Sequence, residues 1–188
     1  SSEFTVKAAS CGAGPYDLRY FNTEVTRLTE YPMPVFLGYI ANAYTTYDLY
    51  PNELTDLFNS QYASVIPGLY DGQHSSEQIN SQLTTSISGL FTAEYLSGAE
   101  TDQKYLGIRN ALRDNSINGW DCDVPLLLLH GTADTYVMPG ISQSQYNIMI
   151  GSGTSPLTCF NVPLEGLDHS QASVPALFAG YEFFKEYR

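Results

Sequence analysis

Val124-Pro125-Leu126-Leu127-Leu128-Leu129-His130-Gly131-Thr132-Ala133-Asp134 is the stretch of this 188-residue sequence that decides its fold. An apolar run of this length is typical of a strand that is buried on both faces, as in a parallel sheet. The small residues that follow predict a tight turn, which places the carboxylate of Asp134 just beyond the strand. The stretch therefore predicts a buried strand with an acid at its carboxyl end.

A second stretch repeats this arrangement with a base in place of the acid. Leu164-Glu165-Gly166-Leu167-Asp168-His169-Ser170 is predicted to be the end of a strand and a loop that carries His169. Loops at the carboxyl ends of parallel strands converge over one edge of the sheet, so residues that are distant in sequence can meet there. We therefore expect Asp134 and His169 to lie within hydrogen-bond reach of each other.

Strands and helices alternate in the last third of the chain. The pattern predicts a strand over 124–130, a helix over 142–150, a strand over 157–162 and a helix over 174–187. Such alternation indicates right-handed βαβ crossovers and a parallel sheet. The predicted fold class is therefore α/β, with a short parallel sheet of about three strands and flanking helices.

The first two thirds of the chain follow a different pattern. Phe4–Cys11 is predicted to be a further strand, which stops at the turn Gly12-Ala13-Gly14-Pro15. Apolar residues at helical spacing then predict helices over 35–49, over 54–65, over 93–96 with Thr92 as the cap, and over 102–112 with Thr101 as the cap. We expect three segments: a first core strand and turn over 1–19, a large helical cap or lid over 20–118, and a core over 119–188.

Charge and hydropathy exclude several classes of partner. The sequence has 20 acidic residues against 8 basic ones, and its net charge of -12 repels nucleic acids and anionic membranes. The longest apolar run, Val124–Leu129, is far shorter than the ~20 residues that a membrane span needs, so we expect no span. A basic start followed by an apolar stretch is not found either, so we expect no signal peptide in this sequence.

Three cysteines, Cys11, Cys122 and Cys159, match no zinc-binding spacing, and we expect no metal. Cys122 precedes one predicted strand and Cys159 lies near the start of the next. Since these strand starts are neighbours in a parallel sheet, a Cys122–Cys159 disulfide is geometrically feasible and would indicate an oxidising compartment. Two buried thiols are the alternative, and the sequence leaves both open.

Three motifs together resemble the C-terminal half of a secreted-type lipase or esterase of the α/β-hydrolase superfamily. His130–Asp134 followed by Val137-Met138-Pro139 is similar to the H-G-x-x-D-x-x-V-P segment that carries the acid in that family, although Met138 stands where proline is usual. Gly166–Ser170 resembles the segment that bears the catalytic histidine, and Ala9–Leu18 resembles the strand and turn that follow the nucleophile-bearing helix. In that family a helical cap is inserted next, at the place that residues 20–118 fill here.

The resemblance implies a Ser-His-Asp triad in which His169 is the base and Asp134 orients its ring. Asp before His is the tail of the family's Ser…Asp…His order. A G-x-S-x-G motif occurs nowhere in the sequence, so the acid and the base are predicted here without the serine or the oxyanion hole. We expect the serine upstream of residue 1, and we expect the isolated chain to be incomplete and inactive.

Other titratable residues are weaker candidates for the chemistry. Cys11 follows a strand, as the nucleophile of this superfamily does, but Ala9 and Ala13 stand where glycines are expected and no helix follows at once. Cys11 is therefore a weaker candidate for the nucleophile than a serine outside this sequence. His130 is predicted to be structural, packed under the turn, and His74 to be solvated.

The function predicted from the resemblance is carboxylic-ester hydrolysis in a secreted or periplasmic protein, without a cofactor. The substrate is expected to be a small-molecule ester or a lipid, and Phe36, Leu37, Tyr39 and Leu90 are predicted to line its site. A serine peptidase of the prolyl-oligopeptidase type shares the same Asp–His tail and is the alternative enzyme. A fragment that only folds and self-associates is the alternative outside enzymes, because Phe4–Cys11 would be an unprotected edge strand open to a second copy or to the N-terminal half.

Overall fold

The computed structural model describes residues 4–187, so the first three residues of the predicted segment 1–19 and Arg188 of the segment 119–188 lie outside it. The elements, in chain order, are β1 (Ala9–Gly12), α1 (Leu18–Val25), α2 (Pro34–Thr46), α3 (Leu54–Leu57), α4 (Ser60–Ala63), α5 (Ile66–Leu69), α6 (Ser76–Gln82), α7 (Ile87–Leu90), α8 (Ala93–Gly98), a 3-10 helix (Gln103–Tyr105), α9 (Leu106–Asp114), β2 (Leu126–Gly131), α10 (Gly140–Gly151), β3 (Cys159–Leu164) and α11 (His169–Lys185). None of the described helices is both long enough and apolar enough to cross a membrane.

The chain divides into two compact units. The core unit consists of the described residues up to Phe21 together with those from Ser116 onward, and the helical unit spans Asn22–Asn115. All three strands of the described chain belong to the core unit, whereas the helical unit contains helices from the end of α1 to α9.

A parallel sheet with the strand order β1-β2-β3 forms the centre of the core unit. Ala9 is the partner of Leu126 in β2, and Leu126 is the partner of Cys159 in β3. Every residue of the central strand is buried, as the leucine run predicts for a strand covered on both faces. The predicted α/β class with a three-stranded parallel sheet is confirmed.

The two long helices of the core unit cover opposite faces of this sheet. Asn161 of β3 donates its side-chain N–H to Gln143 of α10, at 3.0 Å. Phe160, which precedes Asn161 and therefore points to the other face, stacks edge-on with Phe183 of α11. The same face of β1 meets α11 through Gly12, where an added Cβ would lie 3.5 Å from that of Ala176.

The first strand is shorter than predicted, because β1 begins at Ala9 and not at Phe4. Its neighbour in the sheet explains the difference: Ala9 donates its backbone N–H to Pro125, and β2 itself begins one residue later, at Leu126. Residues 4–8 are therefore not assigned to a strand, and the side chain of Phe4 is 76% exposed.

Two helix predictions in the helical unit need correction. The stretch 54–65 does not form one helix, because Phe58 adopts extended backbone and pairs with Phe91, which separates α3 from α4. The predicted cap Thr101 is also wrong, since Asp102 accepts a hydrogen bond from the backbone N–H of Lys104 and begins the 3-10 helix before α9. Thr92 does cap α8, as predicted, by accepting from the N–H of Tyr95.

The three cysteines are free thiols in the structure. Cys159 is the register partner of Leu126, whereas Cys122 precedes Leu126 by four positions and lies outside the sheet. The thiol of Cys122 donates to the carbonyl of Val124 at 3.5 Å, and its backbone N–H donates to Thr154. Of the two alternatives that the sequence leaves open, the structure therefore has the free thiols.

Candidate active site

Asp134 lies in the turn that follows β2, as the leucine stretch predicts. The turn closes when the backbone N–H of Asp134 donates to Gly131 at 3.2 Å. The carboxylate then folds back over the turn, and its Oδ1 accepts from the backbone N–H groups of Tyr136 at 2.8 Å and of Val137 at 2.9 Å. Asp134 is 4% exposed, so its carboxylate is held by the protein and not by water.

His169 is brought to this carboxylate from the neighbouring strand. It follows the loop after β3 and is the first residue of α11, and its Nδ1 donates to Asp134 Oδ2 at 2.7 Å. This distance is typical of a charge-assisted hydrogen bond. Because Nδ1 is engaged, Nε2 is the ring nitrogen that remains for a reacting group, and the side chain of His169 is 35% exposed.

The start of α11 fixes the position of His169. Asp168 is the N-cap residue: it accepts from the backbone N–H of Gln171, and the side chain of Gln171 accepts from the N–H of Asp168 in return. This capping box begins the helix five residues before the predicted position 174. Asp168 is thus a helix-capping residue, and the histidine stands on a helix end and not on a free loop.

The charged state of Asp134 follows from this environment. Burial by itself would raise the pKa of the carboxyl group, but hydrogen bonds from His130, Val137, His169 and Tyr136 outweigh burial and lower the pKa below its usual value. The carboxylate is therefore anionic at neutral pH. Because a carboxylate only accepts hydrogen bonds, Asp134 fixes the orientation of the His169 ring through Nδ1.

The buried ring of His130 contacts the same carboxylate, as expected for its predicted structural role. Its Nε2 donates to the carbonyl of Val137 at 2.8 Å and lies 3.2 Å from Asp134 Oδ2, while Nδ1 bonds Ser142 of α10 at 2.6 Å. Because a carbonyl only accepts, the proton must reside on Nε2. His130 is 3% exposed, and so it supports the acid without meeting solvent.

Tyr136 was not singled out by the sequence, yet it lies against the candidate base. Its ring centroid is 5.3 Å from that of His169, and the two planes are inclined by 36°. The residue follows Asp134 by two positions, in the same turn that donates two N–H groups to the carboxylate. In the sequence, the one feature that could indicate this contact is an aromatic residue in the turn that carries Asp134.

An apolar groove of about 380 Å³ extends from His169 along α11 to Phe184. Two serines line it, Ser10 and Ser173. Ser10 packs against Gly180, which lies eleven residues and therefore roughly 16 Å along the helix from His169. The hydroxyl of Ser173 donates to the backbone carbonyl of Ser170. Neither serine is placed as a partner of the histidine.

Cys11 is also separated from the candidate base. Ser10 and Gly12 of β1 face α11 and line the groove, so Cys11 between them points to the opposite face of the sheet. Burial raises the pKa of its thiol, which opposes the thiolate that a nucleophile needs. Both observations argue against Cys11 as a nucleophile.

The four predicted substrate-lining residues do not share one environment. Phe36 and Tyr39 of α2 are exposed, the latter by 61%. Leu37 and Leu90 are buried, and Leu90 is 0% exposed. Such burial is typical of core residues, and the substrate contacts predicted for Leu37 and Leu90 stay predictions. His74 is exposed and bonds Asp71 at 2.9 Å.

Comparison with known proteins shows the same fold in solved structures. A candidate hydrolase from Legionella pneumophila is 24% identical, with a TM-score of 0.85, and the match covers 99% of this chain and 49% of that one. The rice cell wall degrading esterase LipA from Xanthomonas oryzae is 18% identical, with a TM-score of 0.75, and the match covers 100% of this chain and 53% of that one. No family model and no curated protein matches the sequence.

The chain therefore spans about half the length of the solved structures that it resembles. At these identities the likeness establishes the fold, and it places the present three-stranded sheet within a larger architecture in those proteins.

Proposed function

We propose that this chain supplies the acid and the base of a Ser-His-Asp carboxylic-ester hydrolase, an esterase or lipase, and that the serine belongs to polypeptide outside these 188 residues. The observation that carries the proposal is the 2.7 Å hydrogen bond from His169 Nδ1 to Asp134 Oδ2. The two residues come from the ends of adjacent parallel strands, and the carboxylate is buried while the imidazole is partly open. This is the arrangement that a general base needs.

The reaction would proceed by acyl transfer. His169 Nε2 removes the proton of the serine hydroxyl as its oxygen attacks the ester carbonyl carbon. The bond to the alcohol oxygen then breaks, and the imidazolium returns that proton to the leaving alkoxide. In the second half, His169 removes a proton from water, which attacks the acyl carbon, and then protonates the serine oxygen as the carboxylic acid leaves.

Asp134 contributes in two ways. Its Oδ1 is fixed by two backbone N–H groups, which turns Oδ2 toward His169 and selects the tautomer with the proton on Nδ1. Its negative charge stabilises the imidazolium that forms in each half of the reaction. No cofactor is required for this chemistry.

The likeness to LipA favours an ester as the substrate over a peptide, since LipA is an esterase. That protein degrades rice cell wall, a material outside the bacterial cell. We place the present protein outside the cytoplasm on the same ground. The exposed Phe36 and Tyr39 of the helical unit remain our candidates for contacts with an acyl chain.

The proposal is tested with the complete protein, in which this chain is joined to the polypeptide that precedes it in its reading frame. We expect hydrolysis of p-nitrophenyl esters and labelling by a fluorophosphonate. Asp134→Asn should lower kcat about 10⁴-fold, and His169→Ala should lower it on the order of 10⁶-fold. The matched control is His74→Ala, because His74 is an exposed histidine bound to another aspartate.

A second readout uses the isolated chain, which has no expected activity. Nitrogen-15 spectra of the imidazole should show His169 protonated at Nδ1 and free at Nε2, and Asp134→Asn should change this signature. Equal kcat for His169→Ala and His74→Ala would refute the triad. Cleavage of prolyl peptides without ester hydrolysis would replace the esterase by a peptidase, and fluorophosphonate labelling of the isolated chain would reveal a nucleophile within it.

A further inference from the structure

The hydroxyl of Thr132 joins the two connections that carry the candidate acid and the candidate base. Thr132 is the first residue after β2 and precedes Asp134 by two positions. Its Oγ1 accepts a hydrogen bond from the backbone N–H of Gly166 at 2.8 Å. Gly166 belongs to residues 165–168, which connect β3 to α11 and which we call the histidine loop, because His169 follows directly. One side chain thus bridges the acid turn and the histidine loop.

The conformation of the histidine loop explains why Gly166 needs a partner outside the loop. The loop begins with a tight turn, in which the backbone N–H of Leu167 donates to the carbonyl of Leu164 at 3.3 Å. Gly166 is the third residue of this turn and has a φ of +71°, which glycine adopts without strain. Because the turn closes through the N–H of Leu167, the N–H of Gly166 is paired by Thr132 instead.

Two backbone hydrogen bonds join the same pair of connections. The N–H of Thr132 donates to the carbonyl of Leu164 at 3.1 Å, and the N–H of Ala133 donates to the carbonyl of Leu167 at 3.0 Å. Gly166 lies between these two acceptors along the chain, so the Thr132 hydroxyl adds a third hydrogen bond within this contact. Most residue types could form the two backbone bonds, whereas the third requires a side-chain acceptor at position 132.

The proton of the Thr132 hydroxyl points to a second residue of the histidine loop. While Oγ1 accepts from Gly166, the hydroxyl donates to Glu165 Oε2 at 3.4 Å. Both side chains are exposed, and the distance is long for a hydrogen bond between two oxygens. The contact with Gly166 is therefore the one that holds the loop.

The pairing of acid and base depends on how the two connections lie relative to each other. Backbone N–H groups of the acid turn orient Asp134, and the capping box at Asp168 fixes His169 relative to α11. Each of these contacts stays within its own connection. The contacts of Thr132 and Ala133 run from one connection to the other, and so they maintain the separation that the 2.7 Å bond between His169 and Asp134 requires.

We propose that Thr132 is a positioning residue, whose hydroxyl holds the histidine loop on the acid turn through Gly166 and thereby keeps His169 in reach of Asp134. The structural part of this proposal stands on contacts within the chain. Its catalytic consequence rests on the proposed function: since Thr132 acts through the base and not on the substrate, its loss lowers kcat and leaves KM unchanged.

The first test uses the isolated chain. Thr132→Val removes the hydroxyl at nearly constant shape, and Thr132→Ser retains it. In Thr132→Val we expect the Gly166 amide to exchange with water about two- to tenfold faster, the range that the loss of one hydrogen bond gives. The nitrogen-15 spectrum of His169 should show a smaller population with its Nδ1 proton bonded to Asp134. Thr132→Ser should restore both signals.

Thr135→Val is the matched control. Thr135 is an exposed threonine of the same turn, and its side chain makes no hydrogen bond within residues 4–187. It should leave the Gly166 exchange and the His169 spectrum unchanged. Because Thr132 is exposed, we expect Thr132→Val to fold, which its circular dichroism and cooperative unfolding verify. Thr132→Ala carries the same comparison if the valine variant does not fold.

The complete protein gives the kinetic test. Thr132→Val should lower kcat for p-nitrophenyl acetate about two- to tenfold at constant KM, and Thr132→Ser should restore it. Faster exchange at Gly166 with an unchanged His169 spectrum would make Thr132 a residue that only stabilises the loop, and it would overturn the proposal. Unchanged exchange at Gly166, or no rescue by serine, would overturn it as well. A complete protein that hydrolyses no ester would refute the proposed function, whereas the spectra of the isolated chain would still decide the role of Thr132.

Discussion

The carboxylate of Asp134 makes polar contacts to two histidines and to two backbone N–H groups of the candidate site. Its two oxygens accept from His169, from His130 and from two backbone N–H groups, in a place closed to solvent. Removing any one donor would leave part of a buried anion unsatisfied, which costs about 1–3 kcal/mol or more. The residue therefore links the stability of the turn to the orientation of the base.

The lowered pKa of Asp134 predicts how this link depends on pH. Because the folded state holds the pKa below its usual value, the unfolded chain binds a proton more readily than the folded one. The contribution to stability is therefore complete above the ordinary value of about 3.9 and is lost as pH falls below it toward the folded pKa. In urea unfolding, the stability difference between the native chain and Asp134→Asn should be constant near neutral pH and shrink below about pH 4.

The control for this experiment is Asp114→Asn, since Asp114 is an exposed carboxylate paired with Arg113 at the surface. Its substitution should change stability little at any pH. A difference for Asp134→Asn that stays constant down to pH 2 would contradict the lowered pKa.

The predicted proximity of Asp134 and His169 agrees with the structure, and their catalytic roles stay predictions. Asp134, His169 and the buried His130 were found because each stands at the end of an apolar stretch. The burial of Leu90 could not be predicted, since helical spacing indicates which residues are apolar but not which of them the fold covers. Tyr136 was not found, because its contact with His169 depends on how two distant loops meet.

At the scale of elements, the close approach of β2 to the loop after β3 sets the distance between acid and base. Gly131 ends β2, and an added Cβ would clash with the backbone carbonyl of Leu167 and lie 3.1 Å from that of Asp168. These two residues directly precede His169. The glycine thus lets the loop lie on the strand end closely enough for the histidine to reach Asp134.

Gly131→Ala should therefore push the loop outward and weaken the His169–Asp134 hydrogen bond. We expect a loss of about 1–3 kcal/mol in unfolding free energy, as for other overpacked sites, together with a changed imidazole signature for His169. Gly151→Ala is the matched control, because no atom lies within 4 Å of its added Cβ. Equal stability and unchanged imidazole spectra in both variants would show that the loop does not depend on this contact.

Element boundaries show what a sequence pattern leaves out. The observed strand β1 lacks the first residues of the predicted strand Phe4–Cys11, because its partner β2 begins only at Leu126. The helix 54–65 was divided because Phe58 and Asn59 bond to residues near Leu90, and a long-range pairing overrides local periodicity. In each case the prediction rests on the local pattern of apolar residues, whereas the deciding contact comes from a distant segment.

At the scale of the whole molecule, the helical unit is an insertion in the core unit. The chain leaves the core unit after Phe21 and returns at Ser116. The two crossing points lie side by side, since the backbone N–H of Leu18 donates to Ser116 Oγ at 2.9 Å and that of Ile117 donates to the carbonyl of Tyr16 at 2.7 Å. A short linker can therefore connect them without distortion.

Replacing Asn22–Asn115 by a short Gly/Ser linker should leave the core unit folded. All three described strands, the helices α10 and α11 and the Asp134–His169 pair lie outside the replaced segment, so their contacts remain. Circular dichroism should show a cooperative transition, and imidazole spectra should still show His169 protonated at Nδ1. Loss of both would mean that the two units share one core.

The same replacement in the complete protein tests the role of the helical unit. If its exposed Phe36 and Tyr39 contact the acyl chain, removal should reduce hydrolysis of long-chain p-nitrophenyl esters far more than that of the acetate. Each buried methylene contributes about 0.8 kcal/mol, so the ratio of the two kcat/KM values should fall with every added carbon that the unit covers. An equal loss for both esters would contradict acyl binding, and Phe36→Ser with Tyr39→Ser in the intact protein would then leave the chain-length preference unchanged.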